Sequence, residues 1–429
     1  MRSIIDWFAP RFPLIHGLLT VRLRFFLTCL GVLFVVTVYS YYVVVLAQAD
    51  GLFTKPGPMI GGDFVVFRTA ALAAGTTAMV SNYDMATFSA ALREAYPGHG
   101  AMMVGWLYPP SMYLVVRPLS LVSFVSGFAL WVGVFGALFV ATVRRLWSDR
   151  VALLLAIGSP AVLQSVITGQ TGLLTASLIA GSAVLAGPRP VLAGICAGLL
   201  TLKPQFGLLI PIAFAAAGNW RAFAAAAITA LALAGASMIA YGIEPWLAFV
   251  EAMTAHGERM ASVGEFPFQK LMTPFGAARV LGAPPMVASL FQLIPTLLLA
   301  TYVAWIWRRV VDSDLRLAAL ATAAMLATPY GFYYEMAILV PAMLVIAKRA
   351  MQTGWLRGER LSLFVIWSMA LMTPGSDTFP AFPTSFVVAL GAFVIAARRT
   401  LPATTGRLEY PKRRARPDPS TGGVPEVSV

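Results

Sequence analysis

The sequence predicts an all-α polytopic membrane protein, and three observations lead to this fold class. Of its 429 residues, 59% are hydrophobic and only 11% are charged, whereas about 25% are charged in an ordinary soluble domain. The mean hydropathy is +0.79, so lipid must be the solvent for much of the chain. The apolar residues also form continuous runs instead of alternating with polar ones, which excludes an outer-membrane β-barrel.

The charge distribution is typical of a membrane protein and not of a nucleic-acid-binding one. The formal net charge is +13, but the basic residues stand at the ends of apolar runs, as the positive-inside rule expects. We therefore predict a lipid bilayer as a partner and no nucleic acid. The three histidines lie far apart without ligand spacing. Carboxylates could still bind Mg²⁺ or Mn²⁺, but we predict no metal and no other cofactor.

The first element is a basic N-terminal segment, residues 1–24, which precedes a predicted spanning helix over 25–47. Residues 47–49 have the small-x-small form of a signal-peptidase site, but the apolar run is longer than the ~7–15 residues of a signal-peptide core. We therefore expect a retained helix whose N-terminus is cytoplasmic. Residues 48–106 are then a large first extracytoplasmic loop.

Local patterns predict the structure of two shorter segments. Residues 63–74 show helical apolar spacing and begin at Asp63, a residue type that suits an N-cap, so a loop helix is expected there; the alternative is a helix that merely lies on the membrane surface. The run 124–143 ends in arginines that favour the cytoplasm. Two complete crossings would place those arginines outside, so 107–121 is expected to be a partial or broken helix.

The remaining chain is predicted as apolar spans separated by polar turns, with a second extracytoplasmic loop over 244–285 and a disordered basic cytoplasmic tail over 400–429. At about 20 residues per span, a single transmembrane domain over 25–399 holds about 10–13 spanning helices, some short or broken. Both termini are expected in the cytoplasm. The predicted spans after residue 150 are 151–167, 171–186, 190–202, 204–217, 222–243, 286–307, 317–330, 333–347, 361–373 and 381–397.

Acidic residues are few, so Asp63 stands out as a candidate for chemistry. It follows Gly61 and Gly62 just beyond the first predicted span, and paired glycines let a backbone bend and a ligand approach closely. A carboxylate at the outer surface could act as general base on a hydroxyl. The alternative is a helix N-cap with no chemical role.

Polar residues between apolar runs are candidates for binding. Lys203, in the turn with Gln205, could hold an anionic lipid head group or extend to the membrane interface. Arg117 has the same two interpretations. Gln170, in a polar interruption over 168–172, could line a cavity or belong to an ordinary turn.

Further candidates stand where apolar and polar segments meet. Tyr108, Tyr330 and Tyr334 could line a substrate cavity, although tyrosine there is often an interfacial anchor. Glu335 is either a second site carboxylate or an interface residue. Arg68, in the predicted loop helix, is the remaining candidate for the cavity.

Several catalytic motifs are missing from the sequence. It contains no Walker A loop, Rossmann glycine fingerprint, zincin motif or nucleophile elbow. This disfavours an ATP-driven pump, an oxidoreductase and a hydrolase. An enzyme whose activated donor is itself a lipid stays open, as do a transporter or lipid flippase and a non-catalytic scaffold.

Five motifs in order resemble the polyprenol-phosphate-sugar-dependent integral-membrane glycosyltransferases of glycosyltransferase family 87, over roughly residues 25–345. Each motif is weak alone, and the resemblance depends on their order and spacing. The motifs are Gly62-Asp63-Phe64; Leu107-Tyr108-Pro109-Pro110 with Arg117-Pro118-Leu119; Gly169-Gln170-Thr171-Gly172; Ala193-Gly194 through Lys203-Pro204-Gln205 with Asn219-Trp220-Arg221; and Ala327-Thr328-Pro329-Tyr330.

The resemblance implies a GT-C-type fold and transfer of a sugar from a polyprenyl phosphate to a lipid or glycan hydroxyl, as in bacterial α-mannosyltransferases. It implies inversion at the sugar, Asp63 as catalytic base, and Gln170 and Lys203 on the donor side. The expected location is the outer face of a bacterial inner membrane. Many relatives carry histidine where this chain has Tyr333-Tyr334-Glu335, which leaves the sugar and the acceptor open.

Overall fold

The computed structural model describes residues 23–55, 59–97, 105–262, 266–370 and 382–403, and this part of the chain is helical. It contains no β-strand, only isolated antiparallel bridges such as Leu271–Phe332. The predicted fold class, an all-α polytopic membrane protein, is confirmed. Residues 1–22 and 404–429 lie outside the described residues, so the predictions for both terminal segments and the division into domains stay predictions.

Helices of very different lengths make up the described chain. In its first half they are α1 (Leu23–Ala47), α2 (Phe64–Ala73), α3 (Ala78–Ser81), α4 (Met85–Ala95), α5 (Ser111–Val116), α6 (Phe124–Leu146), α7 (Arg150–Ile157), α8 (Pro160–Ile167), α9 (Gly172–Val184) and α10 (Pro190–Leu199). In its second half they are α11 (Ile210–Ala216), α12 (Trp220–Tyr241), α13 (Glu244–Ser262), α14 (Pro274–Val280), α15 (Pro285–Arg309), α16 (Ser313–Ala327), α17 (Leu339–Thr353), α18 (Glu359–Met369) and α19 (Thr384–Ala403). Short 3-10 helices lie at Arg117–Leu121, Leu200–Leu202, Pro204–Phe206, Phe268–Lys270 and Tyr333–Ile338.

Six of the described helices are long and apolar enough to cross a membrane. They are α1, α6, α12, α15, α19, and α17 taken together with the 3-10 helix before it. The predicted run 151–167 is instead the pair α7 and α8, bent by 47°. Pro160 starts the second helix of the pair, and proline cannot continue the first because it lacks an N–H.

The short predicted helices are also short in the structure. The segment 107–121 holds α5, of six residues, and a 3-10 helix, a length of only about 9 Å for α5. The runs 190–202 and 204–217 hold α10 and α11, with Lys203 in the turn between them. Gly194 and Gly198 leave no room for a Cβ against α12, so α10 and α12 pack at close range, as small residues allow inside membranes.

Successive helices run between two ends of the molecule that differ in charge. At one end, Lys348 Nζ lies 2.8 Å from Asp314 Oδ2 and 2.9 Å from the Leu146 carbonyl, and Arg349 lies 2.8 Å from Asp312. We call this the basic end; it holds the last residues of α6 and α17 and the start of α16. The opposite end holds the starts of α2, α6 and α9 and the 3-10 helix before α17, and we call it the site end.

The first loop shares the core of the spanning helices. One hydrophobic cluster extends from Met59 to Ala396, and α2 belongs to it. Phe67 is fully buried and its ring lies 4.8 Å from that of Trp131 on α6. The helix predicted over 63–74 is therefore confirmed, but it is buried instead of lying on the membrane surface, because the aromatic side chains of α6 cover it.

Candidate active site

Two glycine turns bring Asp63 against the polar interruption 168–172. Gly62 has a φ of 46° and Gly169 a φ of 61°, a region that favours glycine. A Cβ on Gly169 would lie 2.5 Å from the Gly61 carbonyl oxygen, so the two turns approach as closely as backbones can. The Asp63 N–H donates to the Thr168 carbonyl at 2.9 Å. This contact fixes the start of α2 beside the end of α8.

The Asp63 carboxylate does not cap its own helix. Asp63 occupies the N-cap position of α2 with helical backbone angles, φ −71° and ψ −3°, and makes no side-chain capping hydrogen bond. Asp84, at the start of α4, has extended angles and accepts from the Thr87 N–H at 2.8 Å, as an N-cap does. The Asp63 Oδ2 atom instead accepts from Gln170 Nε2 at 2.8 Å. The N-cap alternative therefore does not describe this side chain.

Gln170 is held between two polar partners and is only 8% exposed. Its amide donates to Asp63, and its Oε1 atom accepts from the Tyr108 hydroxyl at 3.1 Å. Trp131 Nε1 donates to the neighbouring Gly169 carbonyl at 3.0 Å. The orientation of the Gln170 amide is thus set by a neutral donor on one side and a carboxylate on the other.

Lys203 and Glu335 form a buried ion pair beside these residues. Lys203 is 7% exposed and Glu335 is 1% exposed. Lys203 Nζ contacts Glu335 Oε1 and also donates to Thr171 Oγ1 at 3.1 Å. The same nitrogen lies 5.5 Å from the centre of the Tyr108 ring. Tyr108 therefore connects the Lys203–Glu335 pair to the Gln170–Asp63 pair.

The surroundings set the charge states of this group. Burial would lower the pKa of Lys203, but the Glu335 carboxylate beside it holds that pKa above its ordinary value. Burial raises the pKa of Tyr108, and the nearby Lys203 charge opposes this only in part. At neutral pH the site thus holds a neutral Tyr108 and a charged Lys203.

Aromatic side chains extend the site toward the second loop. The Tyr330 ring lies 5.0 Å from that of His256 and 5.1 Å from that of Phe332, and Phe332 stacks on Tyr334 at 5.3 Å. Burial raises the pKa of Tyr330, and the charge of Asp63 raises it further. The structure thus brings the candidates Tyr330 and Tyr334 toward Asp63. Phe332 and His256 were not predicted, because aromatic residues in a loop gave no separate signal.

An apolar cavity adjoins Lys203 and Thr171 between α9 and α10. It is a small pocket, partly open to the surroundings. An ammonium and a hydroxyl at one end of an otherwise apolar space suit a ligand with an anionic group attached to a hydrocarbon chain. The other lining residues are Met112, Leu174, Thr175, Leu178, Leu199, Leu200 and Leu202.

Three predicted site residues make other contacts than those that join Asp63, Gln170, Tyr108, Lys203 and Glu335. Arg68 donates to the carbonyls of Leu119 and Val122 at 2.7 and 2.8 Å, so it closes the end of a 3-10 helix. Arg117 is exposed and borders Gly75. Gln205 is half-buried in the 3-10 helix after Lys203.

No metal cluster is formed by the residues that the structure describes. Nowhere among them do three or more His, Cys, Asp or Glu side chains gather so that they could hold a metal ion. The metal-free site expected from the sequence stays a prediction.

The fold and the site are those of a multi-pass helical membrane protein with a buried polar cluster at one end. The sequence model of glycosyltransferase family 87 matches residues 106–329, slightly more than half of the chain. The chain belongs to glycosyltransferase family 87. No curated protein and no solved structure matches it. The matched segment includes Tyr108, Gln170 and Lys203, whereas Asp63 precedes it and Glu335 follows it.

Proposed function

We propose that this membrane glycosyltransferase moves a sugar, mannose in the first instance, from a polyprenyl phosphate to a hydroxyl of a lipid or glycan acceptor, with Asp63 as general base. The observation that carries the proposal is the direction of the Asp63 carboxylate. The carboxylate makes no capping hydrogen bond to α2 and instead accepts from Gln170. Gln170 in turn contacts Tyr108 and precedes Thr171, which contacts Lys203.

The proposed reaction is a single displacement. The acceptor hydroxyl gives its proton to the Asp63 carboxylate while its oxygen forms a bond to the anomeric carbon of the sugar. The bond from that carbon to the phosphate oxygen breaks, and its electron pair leaves with the polyprenyl phosphate. Attack opposite to the leaving group inverts the anomeric configuration. The donor carries its own leaving group, so no nucleotide is needed.

The donor side is proposed to be the wall around Lys203. Lys203 and Thr171 line a small, mostly apolar pocket and are hydrogen-bonded to each other, a combination of charge and apolar surface that suits an anionic phosphate attached to a hydrocarbon chain. Tyr108, Tyr330 and Tyr334 are proposed to line the sugar and acceptor side. The contacts of Arg68 support the fold, and Arg117 and Gln205 stay secondary candidates for the phosphate.

The proposed orientation follows from the charge of the two ends. Exposed arginines at the basic end, Arg144, Arg145, Arg308 and Arg309, favour the cytoplasm by the positive-inside rule. The site end then faces the outside of a bacterial inner membrane, where a lipid-linked sugar and an acceptor can meet. Both chain termini would be cytoplasmic.

The test is a transfer assay with purified protein in detergent. Polyprenyl phosphate mannose and crude lipid acceptors from the native membrane are offered to the wild type, Asp63→Asn and Asp84→Asn. Asp63→Asn is expected to lose turnover by about 10²–10⁴-fold, the range of general-base catalysis. Asp84→Asn changes an aspartate that caps α4 and is expected to keep its turnover.

Two results would contradict the proposal. Full turnover in a folded Asp63→Asn protein excludes Asp63 as the base. No product from a folded wild type with any of several lipid-linked sugars contradicts the donor class. Solute uptake into proteoliposomes without any lipid-linked sugar would then favour a transporter.

A further inference from the structure

The Lys203–Glu335 pair is unlike the other strongly buried ion pair of the described residues. Glu359 and Arg399 also pair while nearly fully buried, but Arg399 donates in addition to Thr353 Oγ1 and to the Gly354 carbonyl at 2.9 and 2.8 Å. That pair joins chain segments at the basic end. Glu335 has no comparable set of contacts: its Oε2 atom is buried and lacks a hydrogen-bond partner. Burying two charges costs free energy, and their attraction offsets this cost only where further hydrogen bonds satisfy the remaining polar atoms.

A series of hydrogen bonds beside this pair leads from Tyr108 to Asp63. Lys203 Nζ lies 5.5 Å from the centre of the Tyr108 ring. The Tyr108 hydroxyl donates to Gln170 Oε1 at 3.1 Å, and Gln170 Nε2 donates to Asp63 Oδ2 at 2.8 Å. Each donor therefore points from the ammonium toward the carboxylate. A charged donor at one end polarises the bonds that follow, which are stronger in surroundings of low dielectric constant.

We propose that Glu335 is a positioning residue for the transfer: it keeps Lys203 charged beside Tyr108, and the charged Lys203 keeps the chain of donors directed at the Asp63 carboxylate. This inference rests on the proposed function, in which Asp63 is the base. Among the described residues, three titratable groups face Lys203: Glu335 and Tyr334 from the 3-10 helix before α17, and Tyr108 from the segment before α5. Asp63 is the charged group at the other end of the hydrogen-bond series.

The test compares Glu335→Gln with the wild type in two measurements across pH ~5 to ~9, a range that includes the pKa of ~5–6 documented for buried lysines. The first is the pH profile of transfer. Without the carboxylate, burial lowers the pKa of Lys203, so activity falls as the pH rises, by about tenfold per pH unit once that pKa is passed. The wild type is expected to lack this loss, and Glu335→Asp to restore its profile.

The second measurement is the thermal stability of the same proteins, and it is expected to change with pH in the direction opposite to activity. In Glu335→Gln the folded protein binds fewer protons than the unfolded chain between the lowered pKa of Lys203 and the ordinary value, so stability relative to the wild type increases with pH. Activity and relative stability therefore change in opposite directions. A residue that only supports the fold would not produce this pattern.

Glu359→Gln is the matched control, because Glu359 is equally buried and paired but lies at the other end of α17. It is expected to lower the melting temperature without changing the shape of the transfer profile. Two results overturn the Glu335 assignment: a stability difference between Glu335→Gln and wild type that is constant with pH, or a Glu335→Gln transfer profile parallel to that of the wild type. A wild type that is inactive on every lipid-linked sugar overturns the proposed function instead. The stability measurement needs no substrate, so it still tests whether Glu335 keeps Lys203 charged.

Discussion

Two aspartates with the same sequence signal have different roles in this molecule. Asp63 and Asp84 each precede a helix, and both are residue types that cap helices. Only Asp84 caps. The difference comes from Gln170, which follows Asp63 by more than a hundred residues and reaches its carboxylate. The start of α2 could be predicted from local sequence, but the direction of the Asp63 side chain could not, because it depends on a contact between distant segments.

At the residue scale, we expect Gln170→Leu to reduce turnover with a limited effect on folding. It removes the donor that orients Asp63 Oδ2 and the acceptor of the Tyr108 hydroxyl, and a misplaced catalytic group can cost about 10²-fold. The measurement is kcat and KM for transfer alongside the melting temperature.

Gln292→Leu is the control for this prediction. Gln292 is also a buried glutamine, but it donates to the carbonyls of Leu326 and Ala327 and not to Asp63. Its loss is expected to destabilise the protein by about 1–3 kcal/mol and to leave kcat nearly unchanged. If both variants lose kcat in proportion to stability, Gln170 has no specific role at the site.

At the scale of elements, helix length was the best predicted property and burial the worst. The short helices α10 and α11 and the partial helix of 107–121 follow from short apolar runs and from prolines. The burial of α2 could not be predicted, because the rings that cover Phe64 and Phe67 belong to Trp131 and its neighbours on α6. The Lys203–Glu335 pair was missed for the same reason: both residues were noted separately, and only the fold makes them partners.

The two glycine turns give a prediction at this scale. Gly169→Ala is expected to abolish turnover and to destabilise the protein, because its Cβ would lie 2.5 Å from the Gly61 carbonyl oxygen and 2.6 Å from Phe64 Cβ. The turn that carries Gln170 would have to move away from the turn that carries Asp63. Transfer activity and the melting temperature are the measurements.

Gly218→Ala separates backbone strain from contact between the turns. Gly218 has a similar φ of 66°, but a Cβ added to it would have no described atom within 4 Å outside its own chain neighbours. The substitution should cost only the left-handed backbone strain, about 1–2 kcal/mol, and keep its turnover. Equal loss of turnover in both variants would show that turnover does not depend on the close approach of the two turns.

At the scale of the whole molecule, the proposed function requires that the site end and the basic end face different compartments. The helices place Thr77, exposed between α2 and α3, at the site end and Arg309, exposed at the last residue of α15, at the basic end. The positive charges that surround Arg309 favour the cytoplasmic side, whereas a lipid-linked sugar donor used outside the cell requires an open site end. The charge distribution thus favours the orientation that the proposed reaction needs.

The orientation can be measured by labelling single cysteines in intact cells with a membrane-impermeant maleimide. In a background with Cys29 and Cys196 replaced by alanine, Thr77→Cys is expected to react in intact cells and Arg309→Cys only after permeabilisation. The reversed pattern would place Asp63 in the cytoplasm and would contradict the outward-facing reaction. The roles of Asp63 and Gln170 would survive that result, because they depend on contacts within the site end and not on the compartment that it faces; what would change is the pool of lipid-linked sugar that the enzyme can use.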